Sequence, residues 1–301
     1  MFQAVGLTAN GWQGFLSAAF RMQITRLALA ASMVVAAPFM VQAGETSLKL
    51  DGGISATLYM PDQSAPVPAV LMLHGFASSK DEVGKMYARE AKALAEKGIA
   101  SLRIDFAGFG ESDGDPGSLT IDGELDNAKM ALDALRKTDG IDPDRVGVLG
   151  FSLGGGLATL VAANDSKSVK SLVTWSSVGD FQNDFLNELG QKAFDRAKED
   201  GIVGLDLGWR TIALKQAFFD SLAKYKVDDA VAAYSGAYLT IAGSKDFSAG
   251  YTDRFVGLSK SQTKDAFIVQ DADHIYNVLG TDQSMAESVI KKTAEWFANT
   301  L

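Results

Sequence analysis

Residues 146–156 read VGVLGFSLGGG, an apolar run that leads through a serine into a row of glycines. A nucleophilic serine stands on a sharp turn between a strand and a helix, where it projects from the sheet edge. Gly150 and Gly154 fit such a turn because side chains there would collide with the crowded backbone. The segment predicts a strand, a nucleophile at Ser152 and a helix behind it. A phosphate-binding loop is excluded because no Gly-Lys-Ser/Thr follows.

The rest of the chain alternates between apolar runs and amphipathic segments. Strands are predicted at 54–60, 69–73, 99–106, 146–149, 172–175, 238–242 and 267–269, and helices at 81–97, 119–137 and 283–298. This alternation predicts an α/β fold with a mostly parallel sheet flanked by helices on both faces. We expect one such domain over residues 44–301.

One connection in this domain is longer than the fold requires. A strand-to-strand crossover needs only about a dozen residues, but residues 177–236 separate two predicted strands. Apolar side chains recur at helical spacing within 181–189 and 214–222. We predict a helical cap insertion at about residues 177–236, lying over the carboxyl edge of the sheet. Ordinary core helices are the alternative interpretation.

Histidine occurs only twice, as His74 and His274. A serine hydroxyl is a poor nucleophile until a base removes its proton. His274 follows the last predicted strand and lies downstream of Ser152, in the chain order Ser, Asp, His. We predict that His274 is the base. His74 is expected to be a structural residue that braces its loop.

A third group should orient the imidazole and stabilise its charged form. Asp246 follows the strand at 238–242 and precedes the histidine in the chain. Asp271 and Asp273 are competing candidates on the histidine's own loop, from which the required angle of approach is rarely achieved. We predict Asp246 as the partner.

The turn after the strand at 69–73 reads His-Gly-Phe-Ala. In this topology the turn supplies one backbone N–H of an oxyanion hole, and the residue after the nucleophile supplies the other. We assign these N–H groups to Phe76 and Leu153. The loop at 105–112, DFAGFGES, resembles a dinucleotide fingerprint only in part, because its third glycine falls at 114 rather than 113.

Composition excludes several classes of function. The 301 residues include 37 acidic and 28 basic side chains, a net charge of −9, which argues against nucleic acid as a partner. Cysteine is absent, so disulfides, thiolate metal sites and cysteine nucleophiles are excluded. Two histidines cannot form a three-histidine metal site. The chemistry predicted above requires no metal or organic cofactor.

The N-terminal segment has the pattern of a targeting sequence. Residues 27–41 form an uncharged apolar run preceded by Arg21 and Arg26, and small residues end it at Ala43. This pattern predicts a secretory signal peptide over residues 1–43, and therefore a periplasmic or secreted protein. Met22 is an alternative start with a more ordinary signal. The apolar run is too short to cross a bilayer, so we expect no stable membrane anchor.

Five motifs follow one another in a family-specific order: HGF at 74–76, DFAGFGES at 105–112, GFSLG at 150–154, GSKD at 243–246 and DADH at 271–274. Together they resemble the α/β-hydrolase superfamily, and the first two resemble the serine aminopeptidase S33 and cinnamoyl-esterase group. The resemblance implies hydrolysis of carboxylic esters beneath a capping insertion. Leu153 stands where cinnamoyl esterases commonly carry Gln, which departs from the feruloyl-specific pattern.

The sequence thus predicts an exported serine hydrolase of carboxylesterase type, acting on a small-molecule ester. An aminopeptidase or dipeptidyl-peptidase of the S33 type is a second hypothesis. It needs an acidic clamp for the substrate's amino group, for which the cap offers Glu188, Asp195, Glu199 and Asp200. A hydrolase-fold binding protein without catalysis is the third. The oligomeric state is left open.

Overall fold

The computed structural model describes residues 43–63 and 66–301, through which an eight-stranded sheet runs. Its strands are β1 (Gly44–Leu50), β2 (Ile54–Met60), β3 (Val67–Leu73), β4 (Ala100–Ile104), β5 (Ile141–Phe151), β6 (Val169–Trp175), β9 (Ala237–Gly243) and β10 (Lys264–Val269). A separate hairpin consists of β7 (Ile202–Asp206) and β8 (Thr211–Lys215). The helices are α1 (Met86–Glu96), α2 (Ile121–Arg136), α3 (Leu153–Asn164), α4 (Phe181–Leu189), α5 (Gln191–Asp200), α6 (Gln216–Leu222), α7 (Val227–Ala233), α8 (Ala249–Leu258) and α9 (Ser284–Thr300).

The strands lie in the order β1-β2-β4-β3-β5-β6-β9-β10. The six from β4 to β10 run parallel, whereas β2 is antiparallel to both of its neighbours, β1 and β4. Since parallel strands end at the same edge of a sheet, the loops after β3, β5, β9 and β10 meet there. The predicted site residues all belong to those loops.

Helices cover both faces of the sheet, and the central strand β3, VPAVLML, is apolar throughout for that reason. Ala69, Leu71 and Leu73 of β3 face one core with α2, α3 and the cap, and Val70 and Met72 face a second core with α1 and α9. All five side chains are fully buried. Alternation of period two thus divides a continuous apolar strand between two cores.

The predicted fold class is confirmed, and β2 has the predicted bounds. Two elements of the main domain had no counterpart in the sequence prediction. One is β1, an edge strand whose residues are mostly exposed or half-buried, so that its apolar pattern is weak. The other is α8, which buries only Thr252 and Phe255.

The insertion contains α4 to α7 and also the β7–β8 hairpin, which was not predicted. Alternate residues of β8 are exposed, and β7 buries none of its residues fully, so neither strand has a long apolar run. Phe181, Phe185 and Phe218 of the insertion join the core that contains α3. The insertion is therefore packed onto the domain by its aromatic side chains.

The predicted signal peptide, residues 1–43, lies outside the described residues except for Ala43. Among the helices that the structure does describe, none combines the length and the apolar character needed to span a bilayer.

Two carboxyl groups are buried without partners. Glu90 on α1 and Glu124 on α2 are 0% and 3% exposed, and their oxygens accept no hydrogen bond from the described residues. Burial raises the pKa of both carboxyls well above the usual glutamate value. The folded protein therefore retains protons that the unfolded chain releases, and the free energy of unfolding falls as pH rises above about 4.3.

We expect Glu90→Gln to weaken this pH dependence, because the amide keeps the shape and does not titrate. Chemical denaturation at intervals from pH 5 to 8 should show the variant gaining stability relative to wild type as pH rises, by at most about 1.4 kcal/mol per pH unit. Glu199→Gln, at an exposed position of α5, is the matched control and should follow wild type. Parallel curves for Glu90→Gln and wild type would contradict this account.

Candidate active site

Ser152 occupies the strained turn between β5 and α3. Its backbone has φ 56° and ψ −118°, a conformation that side chains rarely adopt, and its N–H donates to Trp175 O at 2.9 Å. The flanking glycines permit the turn. A Cβ on Gly150 would lie 2.0 Å from Gly154 O, and a Cβ on Gly154 would lie 2.1 Å from Leu73 O. The local sequence therefore dictates both the turn and the contact between α3 and the end of β3.

The three residues predicted to act together form a hydrogen-bonded chain. Ser152 Oγ lies 3.0 Å from His274 Nε2, and His274 Nδ1 lies 2.9 Å from Asp246 Oδ1. The serine follows β5, the aspartate follows β9 and the histidine follows β10. This geometry lets the imidazole take a proton from the hydroxyl while the carboxylate holds the other ring nitrogen.

The Asp246 carboxyl is almost fully buried, with its side chain 2% exposed. Burial opposes its ionisation, but hydrogen bonds from His274 and from the Ser248 hydroxyl outweigh burial and lower the pKa of Asp246 below its usual value. The group is therefore a carboxylate at neutral pH, as a partner for a protonated imidazole must be.

The two competing aspartates make other contacts. Asp271 pairs with Lys245 at 2.9 Å on the surface. Asp273 Oδ1 accepts the backbone N–H groups of Ile275 and Asn277, at 3.0 and 2.8 Å. Asp271 therefore forms a surface ion pair and Asp273 binds backbone groups of its own loop. Of the three aspartates, Asp246 is the one that contacts the imidazole.

The turn at residues 75–78, here called the oxyanion turn, lies against the serine. Ser78 N–H donates to Gly75 O at 3.3 Å, and a Cβ on Gly75 would lie 3.3 Å from Ser152 Cβ. Within the described residues, the backbone N–H groups of Phe76 and Leu153 have no acceptor. Leu153 is the first residue of α3, where backbone N–H groups lack partners and the helix dipole favours negative charge.

His74 links this turn to the next loop. Its Nδ1 donates to Gly75 O at 2.8 Å, and its Nε2 accepts the Phe106 N–H at 3.1 Å. Complete burial lowers the pKa of His74 to about 4, so the ring is neutral and can donate at one nitrogen while it accepts at the other. His74 therefore has a structural role, because it connects two loops at the edge of the sheet.

The loop at 105–112 is organised around the buried Asp105 carboxylate. The Asp105 carboxylate accepts hydrogen bonds from the Lys80 backbone N–H at 2.6 Å, from the Lys80 ammonium group at 2.8 Å and from the Glu111 backbone N–H at 3.0 Å. A Cβ on Gly110 would lie 2.2 Å from this carboxylate. The glycines of this loop therefore allow it to fold tightly around the ion pair of Asp105 and Lys80.

A cavity of about 1010 Å³ opens above Ser152 and His274. The main domain contributes Phe76, Phe151, Phe247 and Leu279 to its walls, and the cap contributes Val178, Asn183, Phe185, Glu188, Trp209 and Arg210. The cap thus forms part of the cavity wall.

Several residues of this site were not identified from the sequence. Phe247 and Ser248 directly follow Asp246, and that adjacency could have identified them; the Phe247 ring stacks on His274 with centroids 5.3 Å apart. Trp209 and Arg210, in the turn between β7 and β8, reach the cavity only through the tertiary fold, and local sequence carries no signal for them.

Comparison with known proteins places this architecture in a family. The family model described as α/β hydrolase fold matches residues 68–301. A 31.7 kDa protein of the traX-finO intergenic region of Escherichia coli is 33% identical over 135 residues, 45% of this chain and 46% of that protein. The quorum-quenching protein AidA of Acinetobacter baumannii is 36% identical over 132 residues, 44% of this chain and 41% of AidA. The matched region thus spans less than half of each of these relatives.

Among solved structures, Est1E of Butyrivibrio proteoclasticus with ferulic acid bound has a TM-score of 0.69 and 25% identity. The match covers 82% of this chain and 97% of Est1E. The family model, the parallel sheet and the strand–turn–helix at Ser152 agree with one another, and the chain belongs to the α/β-hydrolase fold family.

Proposed function

We propose that the protein is a serine hydrolase that cleaves carboxylic esters through an acyl-enzyme. The observation that carries this proposal is the chain of hydrogen bonds from Ser152 through His274 to Asp246, which opens into the cavity.

Ser152 Oγ attacks the ester carbonyl carbon while His274 Nε2 takes the hydroxyl proton. Asp246 holds the imidazole and stabilises its positive charge. The tetrahedral oxyanion is stabilised by the N–H groups of Phe76 and Leu153. As the C–O bond to the alcohol breaks, His274 returns the proton to the leaving oxygen. Water, activated by the same histidine, then releases the acid and restores the serine.

An ester is favoured over a peptide because the described residues do not assemble an acidic clamp in the cavity. Of the four cap acids considered for that role, Glu188 lines the cavity. Asp195 accepts a hydrogen bond from Gln191, Asp200 pairs with Arg196 on the cap surface, and Glu199 is exposed on α5 and does not line the cavity. Asp184 also lines the cavity, but backbone N–H groups and the Tyr251 hydroxyl occupy both of its oxygens. Glu82 lines the cavity too, and its Oε2 accepts the Gly84 N–H at 2.8 Å. Glu188 is thus the one carboxylate of the described cavity lining without a hydrogen bond, which is a weak basis for binding a substrate ammonium group.

The cavity mouth supports an apolar substrate. Trp209, Phe247 and Leu279 line it and are 62%, 53% and 72% exposed, unusually open for such large apolar side chains. An apolar acyl or alcohol group that covered them would remove this surface from water. Est1E, a similar solved structure with ferulic acid bound, supports an aromatic group as a candidate.

The hydrolase is also proposed to be exported. The basis is the apolar run at 27–41 with its basic flank and small-residue end. Cleavage after Ala43 would leave β1, which begins at Gly44, intact.

Replacing the nucleophile should abolish turnover. We expect Ser152→Ala to lower kcat on p-nitrophenyl esters by about 10⁶ with the fold retained, since the catalytic group acts as a unit. Labelling by a fluorophosphonate should also be lost. Ser288→Ala, on α9 and remote from the cavity, is the control and should label like wild type. Turnover within about tenfold of wild type in Ser152→Ala would remove the basis of the proposal.

The three aspartates provide an internal comparison. Asp246→Asn should lower kcat by up to about 10⁴, because the amide favours the wrong imidazole tautomer. Asp271→Asn and Asp273→Asn should each cost about tenfold or less, since they act on the site only through screened fields. Steady-state rates of the three variants on one ester test this prediction. A kcat of Asp246→Asn close to that of wild type would disprove the assignment of Asp246.

The mature N-terminus is testable separately. N-terminal sequencing of the protein recovered from the exported fraction of an expressing bacterium should begin at Gly44. An intact segment 1–43 on the exported protein, or full retention inside the cell, would contradict the signal peptide.

A further inference from the structure

Aromatic packing and one hydrogen bond join the cap to the oxyanion turn. The Phe76 ring packs against the cap residues Phe185 and Phe218, with centroids 5.0 and 5.7 Å away, and these two cap rings also pack against each other. Arg210 Nη1 donates a hydrogen bond to Ala77 O at 2.6 Å. The turn predicted to bind the oxyanion is therefore held by the insertion as well as by the sheet.

The oxyanion turn requires such support. Ala77 has φ 51°, in the left-handed region that favours glycine, and its side chain is 1% exposed. A strained backbone of this kind persists only where surrounding contacts hold it. His74 and Ser78 fix one end by donating to Gly75 O, and Arg210 fixes the carbonyl on the far side of Ala77.

Arg210 is itself positioned by its surroundings. It lies in the turn of the β7–β8 hairpin, where its own carbonyl accepts the Leu207 N–H at 2.9 Å. Its guanidinium lies 5.4 Å from the centroid of the buried Phe109 ring. Over the described residues it forms no ion pair with a carboxylate, and its hydrogen-bond acceptor is the Ala77 carbonyl.

We propose that Arg210 is a positioning residue for oxyanion stabilisation: its hydrogen bond to Ala77 O holds the turn in the conformation that directs the Phe76 N–H toward the reacting carbonyl. This inference rests on the proposed function. It gives the hairpin a role in the chemical step, in addition to forming a cavity wall. Arg210 acts through the backbone and need not touch the substrate.

The test compares variants of one hairpin on p-nitrophenyl acetate, a small ester that requires few cap contacts. Arg210→Ala removes the side chain. Arg210→Met keeps an apolar stem over Phe109 and removes the charged donor, and Arg210→Lys retains a charged donor. Lys215→Ala is the matched control, because Lys215 fastens the same hairpin to Asp115 and Ser118, at 2.7 Å each, away from the cavity.

We expect Arg210→Ala and Arg210→Met to lower kcat about 10- to 100-fold, less than the roughly 10²- to 10³-fold loss of a whole oxyanion donor, with KM within about threefold of wild type. Arg210→Lys should recover part of the rate, and Lys215→Ala should stay within about twofold. Added ethylguanidinium should partly restore Arg210→Ala, which a general loss of packing would not allow.

A second measurement isolates the oxyanion. An alkyl trifluoromethyl ketone forms a tetrahedral adduct with the serine, and its affinity should fall by the same factor as kcat/KM in each Arg210 variant. Circular dichroism and fluorophosphonate labelling show whether a variant is folded. If Arg210→Ala does not fold, Arg210→Met and Arg210→Lys carry the comparison.

Two outcomes would overturn the inference. A rise in KM with kcat unchanged would make Arg210 a substrate-binding residue, and equal losses in Lys215→Ala and the Arg210 variants would reduce its role to anchoring the hairpin. Failure of the proposed function is distinguishable from either, because wild-type protein would then neither turn over esters nor react with the fluorophosphonate.

Discussion

The close approach of α3 to the carboxyl ends of β3 and β5 is the constraint on which the site depends. Gly150 and Gly154 leave no room for a Cβ, and this absence brings the start of the helix against the backbone of Leu73 and His74. Ser152 is thereby held at a positive φ of 56°, directly before Leu153, whose backbone N–H is the first of the helix. The geometry that would make the serine reactive is set by missing side chains before any polar group contributes.

Buried polar groups then fix the loops around this contact. Neutral His74 bridges two loops, and the Asp105 carboxylate binds Lys80 and the backbone of its own loop. Each of these groups is buried with its hydrogen bonds satisfied, which limits the number of conformations the sheet edge can adopt. Asp246 follows the same rule, since its carboxylate is buried but accepts from both His274 and Ser248.

The sequence predicted those features of the fold and of the site that depend on patterns within a few residues of one another. The apolar run ending in GFSLG indicated the strand, the turn and the helix, because the periodicity and the glycines act over a few residues. Two histidines left little choice of base, and strand order limited the choice of acid. The β7–β8 hairpin was missed because it has no long apolar run. Arg210 was missed because its partner, Ala77, is 133 residues away in the chain.

The β1 strand forms one edge of the sheet and presents a row of backbone groups that pair with no further strand among the described residues. Its residues are all half-buried or exposed, and Glu45 forms an ion pair with the buried Arg103 guanidinium at 2.9 Å. Charged side chains on a free edge disfavour pairing with a strand from another molecule. The same residues that give β1 a weak sequence signal therefore protect the folded protein against aggregation through this edge.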